Sequence, residues 1–162
     1  MCICLIKVEA KNMTILAENR IMEVAFNKIL KEGSGKVIPY LKKLYREPPS
    51  DEILHKRLLE MFDQNYECFG IYMEKRLIGV FGLWFMTRHY AGRSCEVDHI
   101  YIDDAFQRKG IGQSLFEFIH EYVAAKGCET VELNSYVENF PSHKFYMNLG
   151  YIIRGYHFLK KL

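Results

Sequence analysis

The stretch "AFQRKGIGQSLF", from Ala105 to Phe116, decides how this chain is expected to fold. It places Gly110 and Gly112 at the junction between an apolar strand and a strongly amphipathic helix. At such a junction several backbone N–H groups lack partners, and the helix dipole adds partial positive charge. Glycine lets an anion approach the backbone, and Arg108 and Lys109 add full charges. The stretch therefore predicts a phosphate-binding loop suited to a diphosphate; the alternative is a glycine turn that merely starts the helix.

Two common nucleotide-binding motifs do not fit this loop. The dinucleotide fingerprint GxGxxG requires a third glycine where the chain has Leu115. The phosphate loop GxxxxGK[ST] is absent. What remains is the pattern QxxGxG, from Gln107 to Gly112, which follows a strand and the short turn "DDAF".

The first part of the chain is predicted to be mainly helical. "CLIKVE" is typical of a first strand, and apolar residues then recur at helical spacing from about residue 14 to residue 31. A second, shorter helix is predicted over residues 37–45, after the break at "EGSGK". The turn "EPPSDE" offers Ser50 or Asp51 as the N-cap of a further helix that runs to about Phe62.

The rest of the chain is predicted to alternate between strands and helices. "YECFGIYM" and "LIGVFGLWFMT" form a hairpin signal around "EKR", and "CEVDHIYI" is a third strand. A helix from Gly110 to Lys126 follows, and Gly127 is placed to end it. "TVELNSY" is typical of a strand, "FPSHKFYMNLG" of a short helix, and "YIIRGYHFLKKL" of one bent or two short closing strands. The order β-α-α-β-β-β-α-β-α-β-β predicts a mixed α/β fold in a single domain over residues 1–162.

The composition excludes several classes of protein. A hydrophobic share of 49% in 162 residues indicates a globular chain, and a net charge of +2 is too weak to argue for nucleic acid or an anionic membrane. Apolar runs such as "LIGVFGLWFM" are too short and too glycine-broken to span a bilayer. The five cysteines include no CxxC pair and the histidines no HxxxH pair, so neither a disulfide framework nor a metal site is expected. The start "MCICLIKVEA" lacks the pattern of a secretory signal, so free thiols in the cytoplasm are the expectation.

Three ordered motifs give the chain a resemblance to a known family. "IYIDDAFQRKGIGQSLFEFIHEYVAAKG" resembles the central acetyl-CoA-binding motif of the GNAT superfamily of N-acetyltransferases, in which a strand, (Q/R)xxGx(G/A) and a helix hold the pyrophosphate. "VELNSYVENFPSHKFYMNLGY" resembles the second motif of the family, and "YECFGIYMEKRLIGVFGLWF" resembles its hairpin. The resemblance covers about residues 66–162, whereas the first 65 residues match in helix pattern only. The ending is also similar to the small-molecule branch that includes aminoalkylphosphonate N-acetyltransferases.

The resemblance implies a GNAT-like acyltransferase fold with acetyl-CoA as co-substrate. The backbone of residues 100–102, at the end of the strand "CEVDHIYI", would pair with the pantetheine arm like an added strand and supply the oxyanion donor. Asn139 matches a cofactor-contacting asparagine, with helix capping as the alternative. The full set of implied cofactor-binding residues is Ile100, Tyr101, Ile102, Gln107, Arg108, Lys109, Gly110, Ile111, Gly112, Gln113, Asn139 and Tyr146.

Acetyl transfer to an amine needs a proton acceptor, because a free alkylamine with a pKa of about 10 is almost wholly protonated at pH 7. Glu96, Asp98 and His99 interrupt the otherwise apolar "CEVDHIYI", where an unpaired charge is costly; an edge strand or a salt bridge is the alternative explanation. The resemblance places the family's strand carboxylate at Glu96. Glu96 is therefore the expected general base, directly or through water, with Asp98 in reserve. Some members carry a glutamate in the next strand, where this chain has Asn134.

The departing thiolate benefits from a proton donor, and Tyr146 matches the tyrosine that lies beside the CoA sulfur in the family. Taken alone, the pair Phe145–Tyr146 on a short amphipathic helix is more often part of a core. With Asn139 upstream and the pair Gly150–Tyr151 downstream, the resemblance favours Tyr146 as general acid, while Phe145 keeps the core interpretation.

The resulting hypothesis is an enzyme that moves the acetyl group of acetyl-CoA to a primary amine of a small molecule by direct attack. The alternatives are a protein or peptide N-terminal acetyltransferase and a non-catalytic acyl-CoA-binding regulatory domain. Tyr40, Tyr45 and Arg46 are expected to line the acceptor pocket, by position in the family fold only. The sequence does not identify the acceptor, and both a monomer and a homodimer stay open.

Overall fold

The computed structural model describes residues 11–17 and 20–162, with side chains from Glu23 onward. Six strands form one sheet in the order of the chain, and the first five are antiparallel to their neighbours. The strands are β1 (Lys11–Ala17), β2 (Arg20–Ile29), β3 (Tyr66–Met73), β4 (Arg76–Arg88), β5 (Gly92–Ile102) and β6 (Thr130–Leu133). The helices are α1 (Ile38–Lys42), α2 (Asp51–Phe62), α3 (Ile111–Ala125) and α4 (Phe140–Asn148).

The helix predicted over residues 14–31 is wrong, because the described part of this segment forms the hairpin of β1 and β2. β2 pairs along β3, from Val24 opposite Met73 to Ile29 opposite Cys68. Val24 and Phe26 are both fully buried, so the segment buries alternate residues as a strand does. The pairing with β3 outweighs the helical spacing of its apolar residues, which is a local signal only. The first strand predicted at "CLIKVE" lies outside the described residues.

The other helices predicted before residue 130 are confirmed. α2 begins after Ser50, whose hydroxyl accepts a hydrogen bond from the N–H of Ile53 at 3.3 Å. α1 covers five residues and is shorter than the predicted segment 37–45. α3 ends before Gly127, which adopts a positive φ of 78° and donates its N–H to the carbonyl of Ala124. The glycine therefore ends the helix as its left-handed conformation allows.

By compactness the chain divides into one unit that ends at Glu132 and a second from Leu133 to Leu162. Within the second unit the predicted helix is present as α4, whose N-cap Asn139 accepts a hydrogen bond from the N–H of Ser142 at 3.4 Å. The closing strands predicted over residues 151–162 are not formed. Their apolar residues are strongly exposed, and a strand requires a partner strand for its backbone groups.

The core of the first unit lies on both faces of the sheet. On one face α3 contributes Phe118 and Tyr122, whose rings contact those of Phe26, Phe69 and Phe81. On the other face α1 and α2 cover part of β3 and β4, in a cluster of buried residues that includes Leu54, Leu58, Tyr66, Cys68 and Val80. A sheet with helices on both faces confirms the predicted α/β class.

A β-bulge interrupts the pairing of β4 with β5. Gly82 lies opposite Asp98 and Val80 lies opposite Tyr101, so His99 and Ile100 together face the single residue Phe81. His99 has a φ of +36°, which is strained for a residue other than glycine. Such bulges redirect the side chains of a strand. Glu96 and Asp98 lie just before this bulge, and Tyr101 and Ile102 lie just after it.

We expect Gly79→Ala to destabilise the fold by about 1–3 kcal/mol, the usual cost of overpacking. A Cβ at Gly79 would overlap the carbonyl oxygen of Tyr101 and lie 3.1 Å from the Cα of Ile102, and backbone atoms cannot move aside cheaply. The control is Gly35→Ala, because a Cβ at Gly35 meets nothing within 4 Å. Urea unfolding of both variants is the measurement; equal stability of the two variants would contradict the pairing of β4 with the end of β5.

Candidate active site

The loop between β5 and α3 is held in place by the side chain of Gln107, one of its own residues. The amide nitrogen of Gln107 donates to the carbonyl of Ile102 at 2.8 Å and to the carboxylate of Asp104 at 2.9 Å. Arg108 and Gly110 both adopt positive φ angles, of 57° and 82°. Gln107 therefore shapes the loop from inside, while the left-handed residues turn the chain sharply into the helix.

The start of α3 presents the donors that an anion needs. The first intrahelical hydrogen bond runs from the N–H of Ser114 to the carbonyl of Gly110, so the N–H groups of residues 111–113 lie ahead of the helical ladder. Gly110 is the N-cap and provides no side-chain cap. Lys109 and Arg76 both lie over the ring of Phe106, at 5.7 and 5.6 Å from its centroid. Partial and full positive charge thus converge at this end of α3.

The end of β5 extends beyond the reach of its outer neighbour. β6 has only four residues, about 13 Å at the usual rise, whereas β5 has eleven. The bonds at the start of β6 go to the start of β5, from Glu129 N–H to the Arg93 carbonyl at 2.7 Å and from the Thr130 hydroxyl to the Ala91 carbonyl at 3.0 Å. On the other side of β5, Tyr101 and Ile102 pair with β4, whereas Ile100 lies in the bulge.

Glu96 takes part in a charge bridge across three strands. A terminal nitrogen of Arg88, Nη2, donates to Glu96 Oε2 at 2.8 Å, and Arg88 Nε lies 2.7 Å from Glu132 Oε2. The Tyr90 hydroxyl also donates to Glu132, at 3.3 Å. The Glu96 side chain is 24% exposed. One guanidinium therefore lies between two carboxylates, one on β5 and one on β6.

Asp98 lies on the same face of β5 as Glu96 and has different partners. Its carboxylate accepts hydrogen bonds from the indole N–H of Trp84 at 3.2 Å and from the backbone N–H of His99 at 2.8 Å. His99 Nδ1 lies 3.3 Å from the same carboxylate, and His99 Nε2 lies 2.9 Å from the Tyr66 hydroxyl. A Cβ at Gly82 would overlap the imidazole, so glycine makes room for this ring.

His99 lies between Asp98 and Tyr66, and the pKa values of these two groups are shifted in opposite directions. Burial alone would raise the pKa of Asp98, but the hydrogen bonds from His99 and Trp84 outweigh it and lower that pKa. Burial raises the pKa of Tyr66, and the neighbouring Cys68 adds to this effect. Asp98 therefore stays an anion and Tyr66 stays a neutral phenol across the physiological range.

The second unit holds the remaining predicted residues. Tyr146 is half-buried on α4, with its ring 5.5 Å from that of Phe145 and 6.0 Å from that of Tyr151. Burial raises the pKa of Tyr146, so its phenol keeps its proton well into the alkaline range. Asn139 caps α4 through its side chain, which is the alternative role considered for it from the sequence.

The first unit thus brings together the loop, the strand end and both carboxylates of β5. The sequence did not predict the roles of Arg88 and Glu132. It also did not predict Trp84 and His99 as partners of Asp98, or Tyr66 as a partner of His99. A signal was present for some of them, since Arg88 ends the apolar strand β4 and Glu132 is a charged residue within the short strand β6. Of the predicted pocket residues, Tyr40 donates its hydroxyl to the carbonyl of Leu77 and lies near the ring of Tyr101.

Metal-binding clusters and membrane-spanning helices are both absent from the part of the chain that the structure describes. No group of three or more histidine, cysteine, aspartate or glutamate side chains there is arranged to hold a metal ion. In that same part, every helix is too short or too polar to span a bilayer.

The chain is similar to known proteins in sequence and in fold. The model of the family described as "Acetyltransferase (GNAT) family" matches residues 36–151. The chain is similar in structure to an aminoglycoside N-acetyltransferase solved with CoA, with a TM-score of 0.74 and 16% identity over 91% of this chain and 99% of that one. A ribosomal-protein-alanine N-acetyltransferase from Brucella melitensis gives a TM-score of 0.71 and 19% identity over 86% and 99%. An aminoglycoside acetyltransferase from an uncultured soil metagenomic sample, solved with sisomicin, gives 0.69 and 18% over 86% and 96%.

Proposed function

The chain belongs to the GNAT family of acetyltransferases and is an acetyl-CoA-dependent N-acetyltransferase, and we propose that its acceptor is the primary amine of a small molecule. The observation that carries this proposal is the pair of carboxylates Glu96 and Asp98 on one face of β5, just before the strand end and the loop. Carboxylates pair with an ammonium, and the similar structures include aminoglycoside acetyltransferases.

The acceptor class is tested by a screen with acetyl-CoA and thiol detection. The panel contains small primary amines, polyamines, aminoglycosides and peptides with free N-termini. Turnover on small amines is the expected result. Turnover on peptides alone would favour a protein N-terminal acetyltransferase, a class represented among the similar structures by the ribosomal-protein-alanine enzyme. CoA binding without turnover on any amine would favour a regulatory acyl-CoA-binding domain.

Two groups of described residues fit two parts of acetyl-CoA, the diphosphate and the pantetheine arm. The N–H groups of residues 111–113, with Arg108 and Lys109, fit the diphosphate, and the backbone of residues 100–102 fits the amide-bearing pantetheine arm. Acetyl-CoA supplies a thioester, whose carbon–sulfur bond breaks as the amine nitrogen bonds to the carbonyl carbon. A backbone N–H at the end of β5 donates to the developing oxyanion.

In the same proposal Glu96 takes the proton of the amine, directly or through one water, and Tyr146 gives a proton to the departing sulfur. The Arg88 bridge makes a water-mediated route the better fit, because Glu96 Oε2 is already bonded to the guanidinium. The cytoplasm is the proposed location, since the buried thiols of Cys68 and Cys95 are free and suit a reducing compartment.

We expect Gly112→Asp to remove most of the affinity for CoA, because a side chain and a negative charge would occupy the place proposed for the diphosphate. Calorimetric titration of the folded variant with CoA is the measurement. Gly35→Asp is the matched control, since it adds the same charge at a site with nothing within 4 Å of a Cβ. Wild-type affinity in Gly112→Asp would remove the diphosphate from this loop.

We expect Glu96→Gln to lower turnover at pH 7 by roughly 10²-fold, within the range typical of a lost general base. Part of the activity should return as the pH rises and free amine becomes abundant. The matched control is Glu132→Gln, which removes the other carboxylate on Arg88 and should cost a few-fold at most. Equal losses in the two variants would show that Arg88 pairing matters and that Glu96 is not the base.

We expect Tyr146→Phe to lower kcat by about 10- to 10³-fold with little change in the KM for acetyl-CoA, the pattern of a lost transition-state interaction. Because burial raises the pKa of Tyr146, the wild-type enzyme should show no loss of kcat from deprotonation of this phenol up to about pH 10. Melting temperature and turnover are measured on the same preparation. Full turnover in a destabilised variant would return Tyr146 to a packing role.

A further inference from the structure

Asp98 differs from the other carboxylates near it in the nature of its partners. Asp63 is paired with Lys31, and Glu96 and Glu132 share Arg88. The donors to Asp98 are the indole of Trp84 and the backbone and ring of His99. An approaching ammonium would have to displace a lysine or an arginine at the other sites. At Asp98 it would add to a carboxylate that these donors already hold in place.

The backbone beside Asp98 is strained, and neighbouring residues are arranged around the His99 ring. His99 adopts a strained positive φ in the bulge, and its side chain is only 8% exposed. Gly82 on β4 leaves space for the imidazole. The hydroxyl of Tyr66 on β3 is hydrogen-bonded to the other ring nitrogen, Nε2, at 2.9 Å. Despite these contacts the Asp98 side chain is 45% exposed. A carboxylate that is held in place and still faces solvent can form a charge-assisted hydrogen bond with a cation.

Trp84, which donates a hydrogen bond to Asp98, also lines a groove whose lining does not include Asp98 itself. The groove has a volume of about 540 Å³ and is lined by Asp63, Gln64, Asn65, Trp84, Phe85 and Met86. Trp84 packs against Tyr66, with ring centroids 5.0 Å apart, and donates its indole N–H to Asp98. An aromatic ring with a carboxylate at its edge matches a molecule that has an ammonium at one end and an apolar body behind it.

Building on the proposed function, we propose that Asp98 binds the ammonium of the acceptor and that Trp84 contacts its carbon skeleton. His99 is a positioning residue that holds the Asp98 carboxylate in place. The acceptor class is a primary alkylammonium with a single charge on an apolar or flat skeleton, in preference to a polycation. Glu96, two residues earlier on the same face, keeps the separate role of proton acceptor.

The probe for this site is 2-phenylethylamine, titrated by calorimetry into the full-length protein saturated with CoA. No acetyl group is present, so the measurement reports binding and is independent of turnover. We expect Asp98→Asn to weaken binding by about 10- to 100-fold, the loss typical of a hydrogen bond to a charged group. Asp51→Asn, the same change at an exposed carboxylate paired with Lys42, is the control and should bind like wild type.

The positioning role of His99 needs a variant that keeps the backbone intact. Asn tolerates positive φ better than most residues, so His99→Asn removes the imidazole while the bulge and the backbone donor to Asp98 remain. We expect about 5- to 10-fold weaker binding. Tyr66→Phe removes the hydroxyl on the far side of the ring and should change binding less than threefold. If both variants melt earlier and both bind the probe like wild type, His99 has only a packing role.

The preferred skeleton is tested by comparing 2-phenylethylamine with spermidine on wild type and on Trp84→Leu. We expect wild type to bind 2-phenylethylamine more tightly, and Trp84→Leu to lose that preference. Tighter binding of spermidine, or no binding of 2-phenylethylamine to wild type, would overturn the proposal. Binding that depends on Asp98 without turnover on any amine would refute the proposed function and leave this site standing.

Discussion

The bulge in the pairing of β4 with β5 is the constraint on which the candidate site depends. Before it, Trp84 faces Glu96 and Gly82 faces Asp98, so both carboxylates and the indole share one face of the sheet. After it, the register resumes with Val80 opposite Tyr101, and the strand runs into the loop at Asp103. A regular ladder would have removed the extra residue and turned every later side chain to the other face.

The bulge can form because β4 has glycine at two positions where β5 approaches it closely. Gly82 admits the imidazole of His99, and Gly79 lets the backbone of Tyr101 approach closely. The sequence "LIGVFGLWF" therefore combines two demands, since its apolar residues fill the core and its glycines give β5 room to deviate. Glycine weakens a strand, and this cost is acceptable where another backbone must come close.

The sequence predicted well those elements whose local pattern is not overridden by pairing with a distant strand. The loop, the helix from Ile111 to Ala125 and its end at Gly127 follow from spacing and capping rules that act within a few residues. The β1–β2 hairpin was missed because its stability comes from pairing with β3, where Phe26 lies opposite Ile71, 45 residues further along the chain. The partners of the carboxylates were missed for the same reason. Arg88 reaches Glu132 across the sheet, and Tyr66 reaches His99 from another strand.

Two carboxylates on one strand can serve one reaction only if their surroundings separate their roles. A residue that binds an ammonium must remain an anion when the cation is absent, and the hydrogen bonds that lower the pKa of Asp98 ensure this. The same donors make Asp98 a poor proton acceptor, because they stabilise its ionised form. Glu96 shares one arginine with Glu132, so in the proposed reaction the guanidinium keeps Glu132 as a partner when Glu96 takes the proton. The division of labour that we propose thus follows from which donors each carboxylate faces, and not from the carboxylates themselves.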